Sequence, residues 1–298
     1  MQRSLGEKIG EGAFADVHAW AVGQVVKLFK AAIPQRVGMH EARMTRAAFA
    51  AGAPAPEVLD EVTLDGRFGI VLSWLDGPTL LHLLRTGAMT PQQAGAILAI
   101  LALSIHKMRP PPNVLLLRDW MDLTLRRYSD KLPKRIAIGI LRWIEHLSPG
   151  DGLCHGDLHP GNVIMTADGP RLIDWLGMVR APPALDLAIS HIILSEIAPD
   201  LADDPDRPRA VNAAMQSEYA RLVGMSPAAL TAATEPYLPI VCVFALLGPA
   251  TNPAQRQRLI QRAEAAFRTE RDWREIASPR SREARNDTGD TRFTDSGH

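Results

Sequence analysis

Cysteine is scarce in this sequence, and neither sign of charge is in excess. The two cysteines among the 298 residues, Cys154 and Cys242, do not have the spacing of a metal-binding pair, which argues against a disulfide framework and a cysteine-ligated zinc site. Lysine plus arginine equals aspartate plus glutamate, with 33 of each, so the chain lacks the basic excess typical of proteins that bind nucleic acid or a membrane surface. We therefore expect a protein of a reducing, cytoplasmic setting that binds neither nucleic acid nor membrane.

Long hydrophobic runs are missing as well. The longest two, residues 94–103 and 240–247, are too short to cross a bilayer and predict buried core helices. Residues 1–11 are polar and lack the apolar segment of a secretory signal. The composition that remains, 46% hydrophobic and 22% charged, is that of an ordinary globular protein with enough apolar material for a sizeable core.

The first 75 residues have the pattern of a small, strand-rich lobe. Short apolar runs within residues 5–30 flank a turn at Val22-Gly23 and predict strands. Residues 38–51 carry apolar side chains at helical spacing, and the proline-rich segment that follows ends the predicted helix. A further strand pair is expected around the turn Leu64-Asp65-Gly66. The N-terminal lobe, residues 1–75, is therefore predicted to have the order β-β-(β)-α-β-β.

From residue 76 the pattern changes to helices. Thr90-Pro91 is a strong helix start, because it combines a capping side chain with proline at the first helical position. The predicted helices are 79–85, 90–108, 120–128, 135–147, 186–197, 208–223, 227–234, 239–247 and 254–270. Residues 76–270 thus predict a larger helical lobe, and residues 271–298, which have few apolar side chains, predict a disordered tail.

The densest group of polar residues lies in residues 151–174. Asn162 comes five positions after the aspartate of His155-Gly156-Asp157, and Asp174 ends an apolar run twelve residues later. The turn Ala167-Asp168-Gly169 predicts a hairpin that brings Asp174 back to this loop. Phosphoryl transfer needs metal ions that neutralise phosphate charge and a group that orients the attacking hydroxyl. Mg²⁺ takes oxygen ligands, usually with only one or two carboxylates among them, so the pattern predicts a magnesium and phosphate site.

This arrangement, His-Gly-Asp-x-x-x-x-Asn followed by Ile-Asp-Trp, resembles the catalytic and metal-binding loops of the aminoglycoside phosphotransferase family, which shares its fold with protein kinases and choline-kinase-like enzymes. The resemblance implies an α+β, protein-kinase-like fold with a small antiparallel N-lobe and a large, mainly helical C-lobe. It also implies that Asp157 is the catalytic base and that Asn162 and Asp174 bind Mg²⁺. His155 would support the catalytic loop, and a buried Asp186 would brace it.

A glycine-rich segment near the N-terminus is an independent indication of the same family. Gly10, Gly12 and Val17 lie in a sequence close to the kinase glycine-rich loop, with Ala15 in place of the third glycine. Glycines let the backbone of a hairpin approach phosphate closely, with its amide hydrogens turned inward. Because a strand and not a helix follows, the pattern argues against a Rossmann dinucleotide site.

Two charged residues follow the glycine-rich segment in the order found in kinases. Lys27 stands between apolar residues ten positions after Val17 and resembles the strand lysine that contacts the α- and β-phosphates. Glu41, in the next predicted helix, would pair with Lys27 and hold it. Lys30 is the competing candidate for the phosphate contact, and an ordinary strand lysine with a surface glutamate is the alternative for the pair.

The end of the N-terminal lobe resembles the hinge of the family. An apolar strand runs from Gly69 into Asp76-Gly77-Pro78, and backbone groups from Ser73 to Leu75 would hydrogen-bond adenine there. The glycine-rich loop, lysine, glutamate, hinge, catalytic loop and metal-binding aspartate thus follow one another in the family's order over roughly residues 5–250.

Together these motifs predict an ATP- and Mg²⁺-dependent kinase that phosphorylates a hydroxyl of a small molecule. A protein kinase is disfavoured, because Trp175-Leu176 replaces Phe-Gly and only eleven residues separate Asp174 from Asp186. A catalytically silent, nucleotide-binding kinase-like protein is the alternative. The sequence leaves open the acceptor (aminoglycoside, choline-like, homoserine-like or sugar), the choice of ATP or GTP, and the oligomeric state.

Two further features of the sequence can each be interpreted in two ways. Asp200, Asp203, Asp204 and Asp206 would suit a polycationic acceptor, or they are helix-capping residues of a solvated loop. His159 either packs the catalytic loop or takes part in the site.

Overall fold

A computed structural model describes residues 5–248 and 251–268, and its N-terminal part is one sheet with one helix. The strands are β1 (Lys8–Glu11), β2 (Ala15–Ala21), β3 (Gln24–Phe29), β4 (Val58–Leu64) and β5 (Arg67–Ser73), and the helix is α1 (Gln35–Ala50). The predicted order of strands and helix in this lobe is confirmed. Helix α1 begins three residues earlier than predicted, directly after Pro34.

The sheet of the N-lobe is antiparallel throughout, in the order β1-β2-β3-β5-β4. Gly23 and Gly66, in the β2–β3 and β4–β5 turns, have φ of 71° and 75°, which glycine adopts without strain. Helix α1 packs close against the sheet at Gly38, where an added Cβ would lie 2.4 Å from the Phe68 ring and 2.9 Å from the Phe29 ring. This close packing fixes which face of α1 looks toward the strands.

The rest of the chain is mainly helical. Its helices are α2 (Leu80–Arg85), α3 (Pro91–His106), α4 (Leu117–Tyr128), α5 (Lys134–Glu145), α6 (Ala184–Ile192), α7 (Asp206–Val223), α8 (Pro227–Thr234), α9 (Leu238–Leu247) and α10 (Pro253–Arg268). Helix α6 continues directly into one wider π-helical turn, Ile193–Ile197. The two segments together match the single helix predicted for residues 186–197.

Helix α3 is the central helix of this C-lobe. Thr90 and Gln93 form the capping box expected at its start, each side chain accepting a backbone N–H of the other. At Gly95 the helix comes so close to α7 that an added Cβ would lie 2.5 Å from the Ala214 side chain. The pair α3 and α7 therefore supports one hydrophobic core cluster, and α9 supports a second one beneath α5 and α6.

Four short strands lie between α5 and α6 in a region predicted as mostly loop. They are β6 (Gly152–Cys154), β7 (Val163–Thr166), β8 (Gly169–Leu172) and β9 (Val179–Ala181). Strands β7 and β8 form the hairpin that the sequence predicts around Asp168, and β6 pairs with β9. These two ladders hold the loops at residues 155–162 and 173–178 in fixed positions beside each other.

Residues 227–247 form the most apolar helical stretch of the described chain. By length and composition alone, Pro227–Leu247 would suffice to cross a membrane, but half of this stretch is buried inside the protein. A short helical turn, Glu235–Tyr237, separates its two helices, and Ile240, Val243 and Leu246 of α9 are core residues. Residues 240–247 are thus the buried core helix that the sequence predicts.

Some expectations fall outside what the structure tests. The predicted tail, residues 271–298, and the end of the helix predicted for 254–270 lie outside the described residues. The lobe boundaries at residues 75 and 270 stay predictions.

Candidate active site

The loop between β6 and β7 contains His155-Gly156-Asp157 and is held from below by α6. Asp186, fully buried on α6, accepts the backbone N–H groups of His155 and Gly156, each at 2.8 Å. Gly156 has φ of 81°, and an added Cβ would lie 2.0 Å from the carbonyl oxygen of Gly177. Only glycine therefore fits where the two loops touch.

Asp186 is itself held by residues that sequence reasoning missed. His106 of α3 contacts the Asp186 carboxylate through Nε2 at 3.2 Å, and its Nδ1 lies 2.8 Å from the hydroxyl of Tyr219. Burial alone would raise the pKa of Asp186, but the hydrogen bonds from His106 and the Gly156 backbone more than offset this and lower it. A histidine at the end of an apolar helix has no distinctive sequence signal, so only the tertiary structure reveals this brace.

The ring of His155 joins the two loops of the site. Its Nδ1 accepts the backbone N–H of Asp157 at 3.2 Å, so Nε2 carries the proton and donates to the Ile173 carbonyl at 3.1 Å. Burial lowers the pKa of His155, which agrees with a neutral ring. The ring also lies 4.7 Å from that of Trp175, which is fully buried. This histidine thus has the supporting position expected of it.

Asp157 and Asn162 lie in direct contact. The Asn162 amide donates to the Asp157 carboxylate at 3.0 Å and to its backbone carbonyl at 2.8 Å. His159 Nε2 lies 3.7 Å from the same carboxylate. Burial would raise the pKa of Asp157, but the imidazole of His159 and the amide of Asn162 more than offset this and lower it. The lowered pKa keeps the Asp157 carboxylate ionised at neutral pH, and its side chain, 43% exposed, is open to a ligand.

Asp174, the second aspartate, faces the N-lobe. It follows β8 with a left-handed backbone, φ 65°, which is rare for residues other than glycine. Its carboxylate lies 3.1 Å from Lys27 Nζ, and Lys27 in turn lies 2.5 Å from the buried Glu41. The neighbouring Ile173 N–H donates to the Asn162 carbonyl at 3.0 Å. The catalytic loop, Asp174 and the N-lobe pair therefore meet at one place.

The lysine of this group keeps its charge. Burial lowers the pKa of Lys27, but the carboxylates of Asp174 and Glu41 more than offset this and raise it above the ordinary value. Burial raises the pKa of Glu41 to about 7 despite the adjacent ammonium. Lys27 is therefore already protonated at neutral pH, and Glu41 is the member of this ion pair that titrates near neutral pH. Lys30, the competing lysine, forms one ion pair among the described residues, with the exposed Glu11 at 3.4 Å.

The residues present fit a magnesium ion. The Asn162 amide nitrogen is turned to Asp157, which leaves its oxygen for a ligand, and the Asp174 carboxylate is 34% exposed. A carboxylate and a carboxamide oxygen are hard donors of the kind that Mg²⁺ binds together with phosphate oxygens and water.

The glycine-rich segment is the tight β1–β2 hairpin of the N-lobe sheet. Gly12 N–H donates to the Ala15 carbonyl at 2.8 Å, and Gly10 pairs with Val17. Neither Gly10 nor Gly12 has a positive φ, and a Cβ at either would make only ordinary van der Waals contacts. The hairpin by itself does not need these glycines, and their contact with a ligand stays a prediction.

The predicted hinge follows β5, and its backbone groups differ in availability. Ser73 N–H is bonded to the Glu57 carbonyl and Trp74 N–H to the Gly23 carbonyl, at 2.9 Å and 2.8 Å. Within the described part of the chain, the Leu75 backbone has no such partner. Of the residues predicted to contact adenine, Leu75 therefore has a backbone N–H that is available to donate. The backbone N–H of Ser73 is already used, so Ser73 could contact adenine only through its carbonyl oxygen.

A buried group of three side chains could in principle bind a metal ion. His106, Cys154 and Asp186 come within 4.8 Å of one another through potential metal-binding atoms. All three are hydrogen-bonded within the protein, so this cluster is a buried brace.

The loop aspartates that the sequence offers for an acidic acceptor site are mostly paired with arginines. The ion pairs are Asp200 with Arg258, Asp204 with Arg207, and Asp206 with Arg209. Asp204 also caps α7 by accepting the Asp206 N–H.

Comparisons with known proteins agree with this geometry. Residues 14–222 match the family model described as the phosphotransferase enzyme family. The chain is similar in structure to an aminoglycoside-3'-phosphotransferase of type VIII, with 19% identity, 79% of this chain and 93% of that chain covered, and a TM-score of 0.53. A choline/ethanolamine kinase family protein from Mesorhizobium loti gives 18% identity, coverage of 94% and 90%, and a TM-score of 0.50.

A third similar structure is the GDP and kanamycin complex of APH(2")-IIia, with 15% identity, coverage of 90% and 93%, and a TM-score of 0.52. A search of curated proteins by sequence gives no match. At these identities the structural likeness shows the fold, which is the two-lobed protein-kinase-like fold. Because the family match spans most of the chain, from the glycine-rich hairpin to α7, this protein belongs to the phosphotransferase enzyme family.

Proposed function

We propose that this phosphotransferase moves the γ-phosphoryl group of ATP to a hydroxyl of a small molecule, with Mg²⁺ as cofactor. The observation that carries the proposal is the meeting of Lys27, Asp174, Asn162 and Asp157 in one connected group. This group contains a point charge for phosphate, two oxygen donors for a metal and an ionised carboxylate that a hydroxyl can reach. Phosphoryl transfer needs these components and little covalent chemistry from the protein.

Each of these residues has one task in the proposed reaction. Lys27, held by Glu41, contacts the phosphate oxygens. Asn162 and Asp174 hold the metal, which, when bound, neutralises charge on the phosphates. Asp157 orients the acceptor hydroxyl and takes its proton at the carboxylate as the oxygen attacks phosphorus. The backbone of Leu75 contacts adenine, and Gly10 and Gly12 let the hairpin cover the phosphates.

Two of the similar structures support a nucleotide and a small acceptor. One was solved with GDP and kanamycin, and another is a streptomycin–ATP ternary complex. Only the short turn Trp175–Gly177 and β9 separate Asp174 from α6, which leaves no long segment of the kind that positions a protein substrate. We also propose a cytoplasmic setting, since Cys154 and Cys242 are both free thiols.

The proposal is tested by coupled ADP release over a panel of amines, alcohols and sugars. We expect Mg²⁺-dependent turnover with at least one hydroxyl compound, and the Asp157→Ala variant should lose about 10²–10⁴-fold in kcat, the usual contribution of a general base. Binding of MgATP to that variant should persist in calorimetry. ATP binding without turnover of any acceptor would favour the catalytically silent alternative.

A further inference from the structure

The sequence leaves the role of His159 open, and in the structure its side chain lies beside Asp157. His159 has an extended backbone, with φ −155° and ψ 166°, so its side chain points away from those of its neighbours Leu158 and Pro160. Both neighbours are buried, and the Leu158 carbonyl accepts the hydroxyl of Ser190 at 2.7 Å. This anchoring turns the His159 imidazole, with 28% of the side chain exposed, to the side of the loop where the Asp157 carboxylate lies.

The imidazole of His159 is held in one orientation by the short helical turn that follows it, Pro160–Asn162. Nδ1 of the ring accepts the backbone N–H of Gly161 at 3.1 Å. The ring lies so close to Gly161 that an added Cβ there would be 2.8 Å from the ring atom Cε1. Because Nδ1 is an acceptor, the neutral ring carries its proton on Nε2. The ring is thus packed in the loop and still has one N–H to donate.

That N–H faces one oxygen of the Asp157 carboxylate. Nε2 of His159 lies 3.7 Å from Oδ2 of Asp157, and the Asn162 amide donates to the same oxygen at 3.0 Å. The contact with His159 is longer than an ordinary hydrogen bond, as contacts in active sites often are before the substrate binds. Within the described chain, Oδ1 of Asp157 accepts no hydrogen bond. Both N–H groups therefore act on Oδ2 and leave Oδ1 accessible to a substrate.

Fixing one oxygen in this way matters for a general base. The two oxygens of a carboxylate are chemically equivalent, and rotation about the last side-chain bond exchanges them. Donors on one oxygen remove that equivalence, because rotation would break their contacts, and the other oxygen keeps its lone pairs for a proton. A base gains from such a fixed orientation, since misplacing a reacting group by about 1 Å can cost about 10²-fold in rate.

We propose that His159 is a positioning residue for Asp157: together with Asn162 it holds the carboxylate through Oδ2, so that Oδ1 takes the proton of the acceptor hydroxyl. In that step the hydroxyl oxygen forms a bond to the γ-phosphorus, the bond from this phosphorus to the oxygen bridging to the β-phosphate breaks, and the hydroxyl proton moves to Oδ1. His159 itself neither gains nor loses a proton. The inference rests on the proposed function and adds a residue to its machinery.

The test separates the two nitrogens of His159 from the shape of its ring. His159→Phe keeps a flat ring and removes both nitrogens. His159→Gln retains an acceptor for the Gly161 N–H and a donor for Asp157, because an amide carries both groups side by side. His82→Phe is the matched control, since His82 is exposed on α2, outside the catalytic loop. Each variant is measured by coupled ADP release with a hydroxyl acceptor and by calorimetry with ADP and Mg²⁺.

We expect His159→Phe to lower kcat about 10- to 100-fold, because the base loses its orientation, and to leave the KM for ATP and the affinity for ADP and Mg²⁺ unchanged. His159→Gln should recover most of this loss, and His82→Phe should alter none of these constants. An unchanged kcat in His159→Phe, or an equal loss of kcat in His159→Gln, would overturn the inference. A raised KM for ATP with unchanged kcat would also overturn it, because the ring would then act on the nucleotide and not on the base.

A second measurement needs no turnover. Nitrogen NMR of the protein labelled with ¹⁵N-histidine shows which ring nitrogen carries the proton, and the signals of His159 are those missing in His159→Gln. Burial lowers the pKa of His159, but the Asp157 carboxylate more than offsets this and raises it, so the spectra are recorded in mildly alkaline buffer, where the ring is neutral.

In these spectra we expect the proton of His159 on Nε2 and a shift of the Nε2–H signal in Asp157→Ala. A proton on Nδ1, or a signal that does not respond to Asp157→Ala, would overturn the inference. The expected spectra without turnover of any acceptor would support the contact of His159 with Asp157 and contradict the proposed function alone.

Discussion

At the residue scale, Lys27 is held in one position between two carboxylates with only 14% of its side chain exposed, whereas Lys8, a strand lysine that also faces two carboxylates, is 42% exposed. We expect Lys27→Met to lower kcat/KM for ATP by about 10²-fold, because phosphate groups lose their positioning charge. Steady-state kinetics at varied MgATP would measure the loss.

Lys30 provides the control for this prediction, since its ion pair within the described structure is with the exposed Glu11. Lys30→Met should stay within about twofold of the natural protein, as expected for an exposed ion pair. Equal losses in the two variants would contradict the assignment of the phosphate contact to Lys27.

Asp186, also considered as a single residue, should make the free energy of unfolding depend on pH. Its pKa is lowered in the folded protein, so the charged carboxylate stabilises the fold above its ordinary pKa, and this stabilisation is lost as the pH falls through the lower value. Asp186→Asn should lower the free energy of unfolding by about 3 kcal/mol at neutral pH, because its amide cannot accept the two N–H groups.

Urea unfolding between pH 7 and pH 2 would measure the difference in the free energy of unfolding between the natural protein and Asp186→Asn. We expect this difference to stay constant above about pH 4, the ordinary pKa of aspartate, and to narrow below it, because the carboxylate then takes up a proton in the unfolded chain before it does so in the folded protein. A constant difference over the whole range would mean that the carboxylate charge is not the source of the stabilisation.

At the scale of elements, the contact between the catalytic loop and the loop after β8 leaves no space for a side chain at Gly156. Gly156→Ala adds a left-handed strain of about 1–2 kcal/mol and also a clash with the Gly177 carbonyl. We expect it to destabilise the protein by several kcal/mol and to lower turnover, measured by thermal unfolding and ADP release.

Gly52 is the matched control for this change. It has φ of 84°, close to that of Gly156, and nothing lies within 4 Å of an added Cβ. Gly52→Ala should therefore show the strain of about 1–2 kcal/mol alone and leave turnover unchanged. If both variants behave alike, the loop contact has no energetic role.

For the whole molecule, a ligand that contacts both Lys27 of the N-lobe and Asp174 of the C-lobe should stabilise both lobes together. Saturation to about 100 times Kd adds about 2.7 kcal/mol, which corresponds to a rise in Tm of about 5–10 °C. We expect this rise with ATP and Mg²⁺ and a much smaller one with ATP alone.

Asp174→Ala should abolish the part of the rise that depends on Mg²⁺. Differential scanning fluorimetry with Mg²⁺ or with EDTA would measure it. A Mg²⁺-dependent rise that persists in Asp174→Ala would place the metal on other ligands.

The fold and the core of the site could be predicted because their signals are local. The spacing of Asp157, Asn162 and Asp174, with the turn at Asp168, determines a hairpin that returns one aspartate to the loop of the other. Alternating and helical apolar patterns determined the strands and helices by the same short-range physics.

The tertiary structure decided what depends on residues far apart in the chain. The brace of His106 and Tyr219 on Asp186 and the ion pair of Lys27 with Asp174, which favours Lys27 over Lys30, have no local pattern in the sequence. They arise only when distant elements pack together, because a contact between side chains about 80 to 150 positions apart depends on where the elements lie and not on the sequence around either residue.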